Sequence, residues 1–434
     1  MTVVTATAPA LWRAEKSVLI DGHSTHRHKP SPVSDGFKPP SMPRELRIRP
    51  EVLAAAMART LTLRTAPDVM LAHWTRSQFA EIEYLITNGP QFQLSPFITA
   101  LADAERSGFA GRVGAGMCDL VMNVLGYVWR DNASCLSSKA AKHADFIYAG
   151  GAATGHGVVL TEAHGSFAQS VTKTTISGEA RRKYRRQVKP HVATSCTYGN
   201  VVHGYSIAFG CNPAPHDTHL HVAETEVTMP RGKVGLRRSP GGQPGAGQVP
   251  ISIALATYRS NFLLMGAWRV VAWIDWLLGR GVRPEVDLAT TFYAFELSGE
   301  TLLVTLEDLV AYLRPWLFTG GSDGLVGPWL NEQLASWSHQ LQFGAIKMFA
   351  MNEWAAKSFL STFSRMLDVG REQTPQTLDL PTFVPFGLLP DPDRAGGDRS
   401  RQLIAQFRDG LALVGGLPPP LPRRYTWSAD GGLG

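Results

Sequence analysis

The chain is short of cysteine. It has four in 434 residues, Cys118, Cys135, Cys196 and Cys211. None forms a Cys-x-x-Cys pair, which argues against a zinc knuckle and leaves four free thiols, the pattern of a reducing, cytoplasmic setting. A long uncharged apolar run is also lacking. The most apolar stretch, "FLLMGAWRVVAWIDWLLG" (262–279), contains Arg269 and Asp275. It falls short of the ~20 residues a membrane span needs, so a core helix is expected and no membrane partner. The N-terminus has no charged segment followed by an apolar one, so no secretory signal is expected. Charged residues make up only 18% against 44% hydrophobic, which excludes a disordered polyelectrolyte and favours a folded body. The Gly-rich "GAATGHG" (151–157) lacks the spacing of a phosphate-binding loop and reads as a hairpin loop. There is no internal repeat.

What the chain does have is a mild positive balance, net +6, and an excess of Gly (42) and Pro (29) towards the ends and around 229–250. The length suits two or three domains, or one large domain with extensions. Residues 1–48 read as an extended arm, with "STHRHKP" a basic, solvated part of it. Residues 49–104 read as helical, with "RPEVLAAAMARTL" opening on Pro50. Residues 105–228 form an α/β core: a helix over 111–127 ended by Gly126, three strands, a basic helix over 177–190, and further strands. Residues 229–250 read as a Gly/Pro/Arg-rich loop. Residues 251–370 read as mostly helical (251–279, 307–317 and 327–368) with a hairpin turning at Ser298–Gly299–Glu300. Residues 371–434 read as a Pro/Gly-rich tail. The class expected is α+β, with a mixed central sheet flanked by helices and a mostly helical C-terminal part.

The stretch with chemistry is "HADFIYAGGAATGHGVVLTEAHGS" (143–166). Asp145 opens one apolar strand and Glu162 lies near the end of the next. Residues i and i+2 of a strand share a face, so Glu162 and His164 point the same way. Two carboxylates on adjacent strands are what a hard divalent cation needs for phosphodiester hydrolysis. The order helix, three strands, helix, strand, with Asp145 in the second strand and Glu162-x-His164-Gly closing the third, resembles the PD-(D/E)xK nuclease superfamily and its restriction-endonuclease-like fold. The resemblance covers about 100 of the 434 residues. It implies Mg²⁺ or Mn²⁺ held by Asp145 and Glu162, with the third position handling the water. That position is usually Lys; here it is His164, a titratable ring in place of a fixed cation. The first helix has Ala115 and Gly116 where the family often has Glu, and Asp119 is the nearest acid.

The helix that follows carries Arg181, Arg182, Lys183, Arg185, Arg186 and Lys189 against Glu179. Such density suits phosphate contacts. Lys183 and Gln187, four apart, share a face and are expected to support the phosphate. The function expected is therefore a divergent nuclease-fold protein acting on or binding nucleic acid. Its alternative is an inactive binding or assembly module of a larger bacterial complex, with a protein partner or a homo-oligomer left open. A second histidine group, "HDTHLH" (His216, His219, His221), resembles the Asp-x-His-x-His signature of amidohydrolases and implies zinc. The chain after it shows no repeating βα pattern of the barrel that family uses.

Overall fold

The structure, a computed structural model, describes residues 15–28, 37–136, 142–150, 157–214, 217–227, 248–285, 289–297, 299–305, 347–370, 373–385, 402–415 and 423–434. It is an α+β protein with two large sheets.

The first sheet is mixed. Its strands are β1 (Lys16–His28), β2 (Glu45–Ile48), β3 (Arg130–Asn132), β4 (Phe146–Ala149), β5 (Gly157–Ser166), β6 (Ser195–Cys196), β7 (Gly199–Cys211) and β8 (Thr218–Val227). The order is β2-β1-β8-β7-β5-β4-β3, with β6 paired to β7. β3, β4 and β5 form an antiparallel meander. β5 and β7 are parallel, as are β1 and β8. A parallel pair needs both faces covered, and two helices cover this one.

Helix α3 (Asp103–Val124) lies on one face and α4 (Lys173–Lys183) on the other; α1 (Pro50–Leu61) and α2 (Asp68–Leu85) precede them. Glycine makes the fit close. A Cβ on Gly165 of β5 would stand 1.7 Å from the Ala110 carbonyl oxygen of α3. On the opposite face, one on Gly204 would stand 2.2 Å from Val188. The buried apolar residues under α4 are Ile176, Ala180, Tyr184 and Val188, every fourth residue. That spacing walks off the face of a 3.6-residue helix, and the widened π turn at Tyr184–Val188 brings it back.

The second sheet is antiparallel throughout. It contains β10 (Thr290–Leu297), β11 (Glu300–Val304), β12 (Lys347–Asn352), β14 (Gln402–Gln406), β15 (Leu411–Gly415), β16 (Arg423–Ser428) and β17 (Gly432–Leu433). Helices α5 (Ile251–Met265) and α7 (Glu353–Val369) pack with it, α6 (Trp268–Leu277) packs on α5, and β9 (Val249–Pro250) pairs with β13 (Thr377–Leu378). Stacked rings run through this core, from Tyr258 on Phe359 at 3.9 Å to Phe363 on Trp427 at 5.8 Å.

Several expectations are corrected. The arm 1–48 contributes β1 and β2 to the first sheet. β1 has few apolar residues because the backbone ladder to β8 and side chains such as Thr25, bonded to Glu226, hold it. The C-terminal part is mostly strands. "KMFAMN" is buried on both faces, so it lacks the alternation that marks a half-buried strand, and Asn352 caps α7 right behind it. The tail 371–434 supplies five strands, β13 to β17. The helix 251–279 is two, broken at Gly266, whose φ of 81° is left-handed. Residues 307–317 and the first part of 327–368 lie outside the described residues, as does most of the 229–250 loop. The hairpin is present, with Gly299 at φ 80°.

A sealed charge cluster joins the two halves. Arg59 (α1) donates to Asp119 (α3) at 2.9 Å and to both oxygens of Asp409, between β14 and β15, at 3.0 Å. Arg130 (β3) lies 3.3 Å from Asp409 and 3.5 Å from Asp119. Asn261 (α5) donates to Asp409 at 3.0 Å. All four charged side chains are fully buried, two cations against two anions.

Candidate active site

The pairing of β4 with β5 sets the site. Phe146 lies opposite Thr161, so one step further along this antiparallel ladder Asp145 faces Glu162. Side chains so placed have Cβ atoms about 5 Å apart. Across the ladder the Asp145 carboxyl acts directly on that of Glu162. Asp145 is exposed, and its Oδ2 accepts from the Ala163 amide at 3.0 Å. Glu162 is 1% exposed.

Helix α4 crosses above this pair. Lys183 donates from Nζ to Glu162 Oε1 at 2.6 Å. The other oxygen, Oε2, is buried with no donor among the described residues. Burial first, then repulsion from Asp145, push the Glu162 carboxyl up to about 8, against the opposing pull of Lys183. Two acceptor-only groups this close need a shared proton or a cation between them. Among the described residues no three His, Cys, Asp or Glu side chains converge as a metal cage. A cation on this pair would keep several water ligands, which suits Mg²⁺ or Mn²⁺ better than Zn²⁺.

His164 lies one residue pair beyond Glu162 on the same face. Burial, and the nearby Lys183 and Arg182, lower its pKa despite Glu179 and Asp145, so the ring is neutral near pH 7. Gln187 is half-buried and forms no hydrogen bond among the described residues; the π turn shifts it out of the helical step that relates it to Lys183. Asp119 does not join the site, being held in the Arg59–Arg130 cluster. Cys118 lies near the two carboxyls but is fully buried, and burial with those anions raises its thiol pKa well above the ordinary value.

The outer face of α4 is a cationic groove of about 520 Å³ lined by Thr174, Gly178, Arg181, Arg182, Arg185 and Arg186. Arg181 is tied to Ser177, and Arg182 to Glu179. Arg185, Arg186 and Lys189 are exposed, and among the described residues no ion pair holds them. Arg185, Lys189 and Arg181 all bear on His26 of β1, whose ring stacks on Tyr184 at 4.6 Å. His26 escaped the sequence reading; the alternation in "HSTHRH" was its one signal. His191 also escaped it. Its Nε2 meets the Lys142 carbonyl at 3.3 Å, which ties the turn after α4 to the chain leading into Asp145.

The second histidine group is apart from this pair. His219 and His221 share a face of β8, but His219 bonds Asp21 at 2.7 Å and His221 bonds Ser24 at 3.1 Å. Burial, then Arg181, pushes His221 down to about 4. His221 is in line with Ala208 and Ala208 with His164, two strands across, about 10 Å by strand spacing. His216 lies outside the described residues. Compared with family models, with curated proteins and with solved structures, the chain gives no match.

Proposed function

We propose that this chain is a divergent nuclease-fold protein that hydrolyses phosphodiester bonds in nucleic acid, with Asp145, Glu162 and Lys183 at the centre of the site. The observation that carries the reading is the facing pair of carboxyls, exposed Asp145 and buried Glu162, with Lys183 on the buried one. The usual strand Lys is absent at His164, and a cationic side chain reaches the same carboxylate from α4 instead. The run α3-β3-β4-β5-α4-β7, with an antiparallel meander and then a parallel strand, supports the resemblance to the restriction-endonuclease-like core.

Asp145 and Glu162 would hold Mg²⁺ or Mn²⁺; the Glu162 carboxylate, buried and with one oxygen unpartnered among the described residues, has the spare acceptor capacity such an ion fits. Bound there, the ion supplies charge stabilisation and an acidified water. Neutral His164, on the same face, is placed to take a proton from that water. Lys183 neutralises charge as it builds on the phosphate. The exposed arginines of α4 hold the flanking backbone without reading sequence.

The test is cleavage of labelled DNA and RNA with Mg²⁺ or Mn²⁺ by the wild type beside Glu162→Gln and Lys183→Met. Metal-dependent cleavage lost in both variants is expected. Equal background in all three, with nucleic acid still bound, favours the second reading, an inactive binding module, for which the arginine groove is the specific support.

A further inference from the structure

We propose that Lys183 and the divalent cation are alternative occupants of one position on Glu162, so that Lys183 sets how tightly the site holds a metal. The inference rests on the reading of Asp145 and Glu162 as a metal pair. The geometry carries it. Glu162 is 1% exposed, so its carboxylate has few directions from which a cation can come. One oxygen, Oε1, is covered by Lys183 Nζ at 2.6 Å, and the other is buried with no donor among the described residues. An ion bridging Asp145 and Glu162 would sit within a few ångströms of an ammonium. At that range like charges repel strongly in a half-buried site.

The side chain has somewhere to go. Lys183 is 27% exposed at its side chain and stands on a helix whose outer face is open. Its flexible stem lets Nζ swing from the carboxylate to the site mouth, where a phosphate would lie. In the empty site Lys183 shields the buried carboxylate. With the cation present, it is released towards the substrate. Arg182, one residue away, is a useful contrast. It points outward onto Glu179 and touches neither carboxylate.

Mn²⁺ binding to the purified full chain, followed by calorimetry or by the paramagnetic signal of the free ion, tests this without reading activity. Lys183→Met is expected to bind Mn²⁺ about tenfold tighter or more than the wild type, while Arg182→Met changes affinity less than about twofold. Glu162→Gln is expected to lose binding. In the wild type, Mn²⁺ should raise the rate at which an amine-acylating reagent labels Lys183, read by mass spectrometry. Thermal melting of each variant confirms that it is folded. Equal Mn²⁺ affinity for wild type and Lys183→Met, or an equal gain in Arg182→Met, overturns the competition and leaves the metal pair standing. Absence of Mn²⁺ binding at millimolar concentration in wild type and Lys183→Met alike removes the metal pair, and the competition with it.

Discussion

Two charge clusters with buried carboxylates sit in this molecule, and they are built on opposite plans. At the junction of the sheets, Arg59, Asp119, Arg130 and Asp409 balance two charges against two and are fully buried. Burial alone would push the Asp409 carboxyl up, yet Arg59 and Arg130 hold it below its ordinary value. In the first sheet, Asp145 and Glu162 face each other against the single ammonium of Lys183, and the Glu162 carboxyl is pushed up instead. One cluster is electrically closed. The other sets two carboxyls against one ammonium, and one of those carboxyls is exposed. A closed cluster holds parts together, while an uncompensated one leaves room for an ion or a proton.

The comparison can be broken most sharply by removing Glu162. Glu162→Gln should cut cleavage about a thousandfold or more, because the cation loses a ligand, without unfolding the chain. A melt and a cleavage assay on the same preparation check both halves. Arg59→Leu should do the reverse. Leaving Asp119 and Asp409 short of a partner should cost about 3–5 kcal/mol in denaturant unfolding, with little change in cleavage by the folded fraction.

A pH series on metal-free protein separates the clusters again. Glu162 goes from 4.5 to about 8 on folding. A raised acid binds more protons folded than unfolded, so its contribution is full below about 4.5 and is lost as pH rises through about 8. Glu162→Gln should therefore gain on the wild type, by on the order of 2–4 kcal/mol at pH 9, and match it near pH 4.5. Equal pH profiles for the two proteins would mean the carboxyl pair is not strained.

The smallest effect expected is on the outer arginines. Arg185→Ala and Arg186→Ala should each lower nucleic-acid affinity a few-fold and reduce the log–log salt slope by about one, whatever the base sequence. An unchanged slope would mean that this groove does not carry the backbone.

The carboxyl pair was legible because strand chemistry is local. Asp145 immediately precedes β4 and Glu162 lies within β5, and Gly-bounded apolar runs mark those strands. The basic density of α4 was equally plain. The pairing of Lys183 with Glu162 was only half legible: a shared face with Gln187 suggested the site, but the π turn, hinted at by apolar residues every fourth position, separated the two. The second sheet was hidden for another reason. β12 is buried on both sides, so it lacks the period of two that distinguishes a half-buried strand from a helix. β1 was hidden in the opposite way, being polar and held by its ladder to β8.

Short windows of residues suffice to specify the mixed first sheet, the two acids and the cationic helix, since these follow from alternation, turn residues and charge density. Tertiary structure decided what those residues meet. Register across β4 and β5 put Asp145 opposite Glu162, and the crossing of α4 brought Lys183 onto Glu162 from 21 residues away. It sent Asp119 instead to Arg59 and Arg130. Contacts between residues far apart in the chain depend on packing and ladder register, which short-range pattern does not encode.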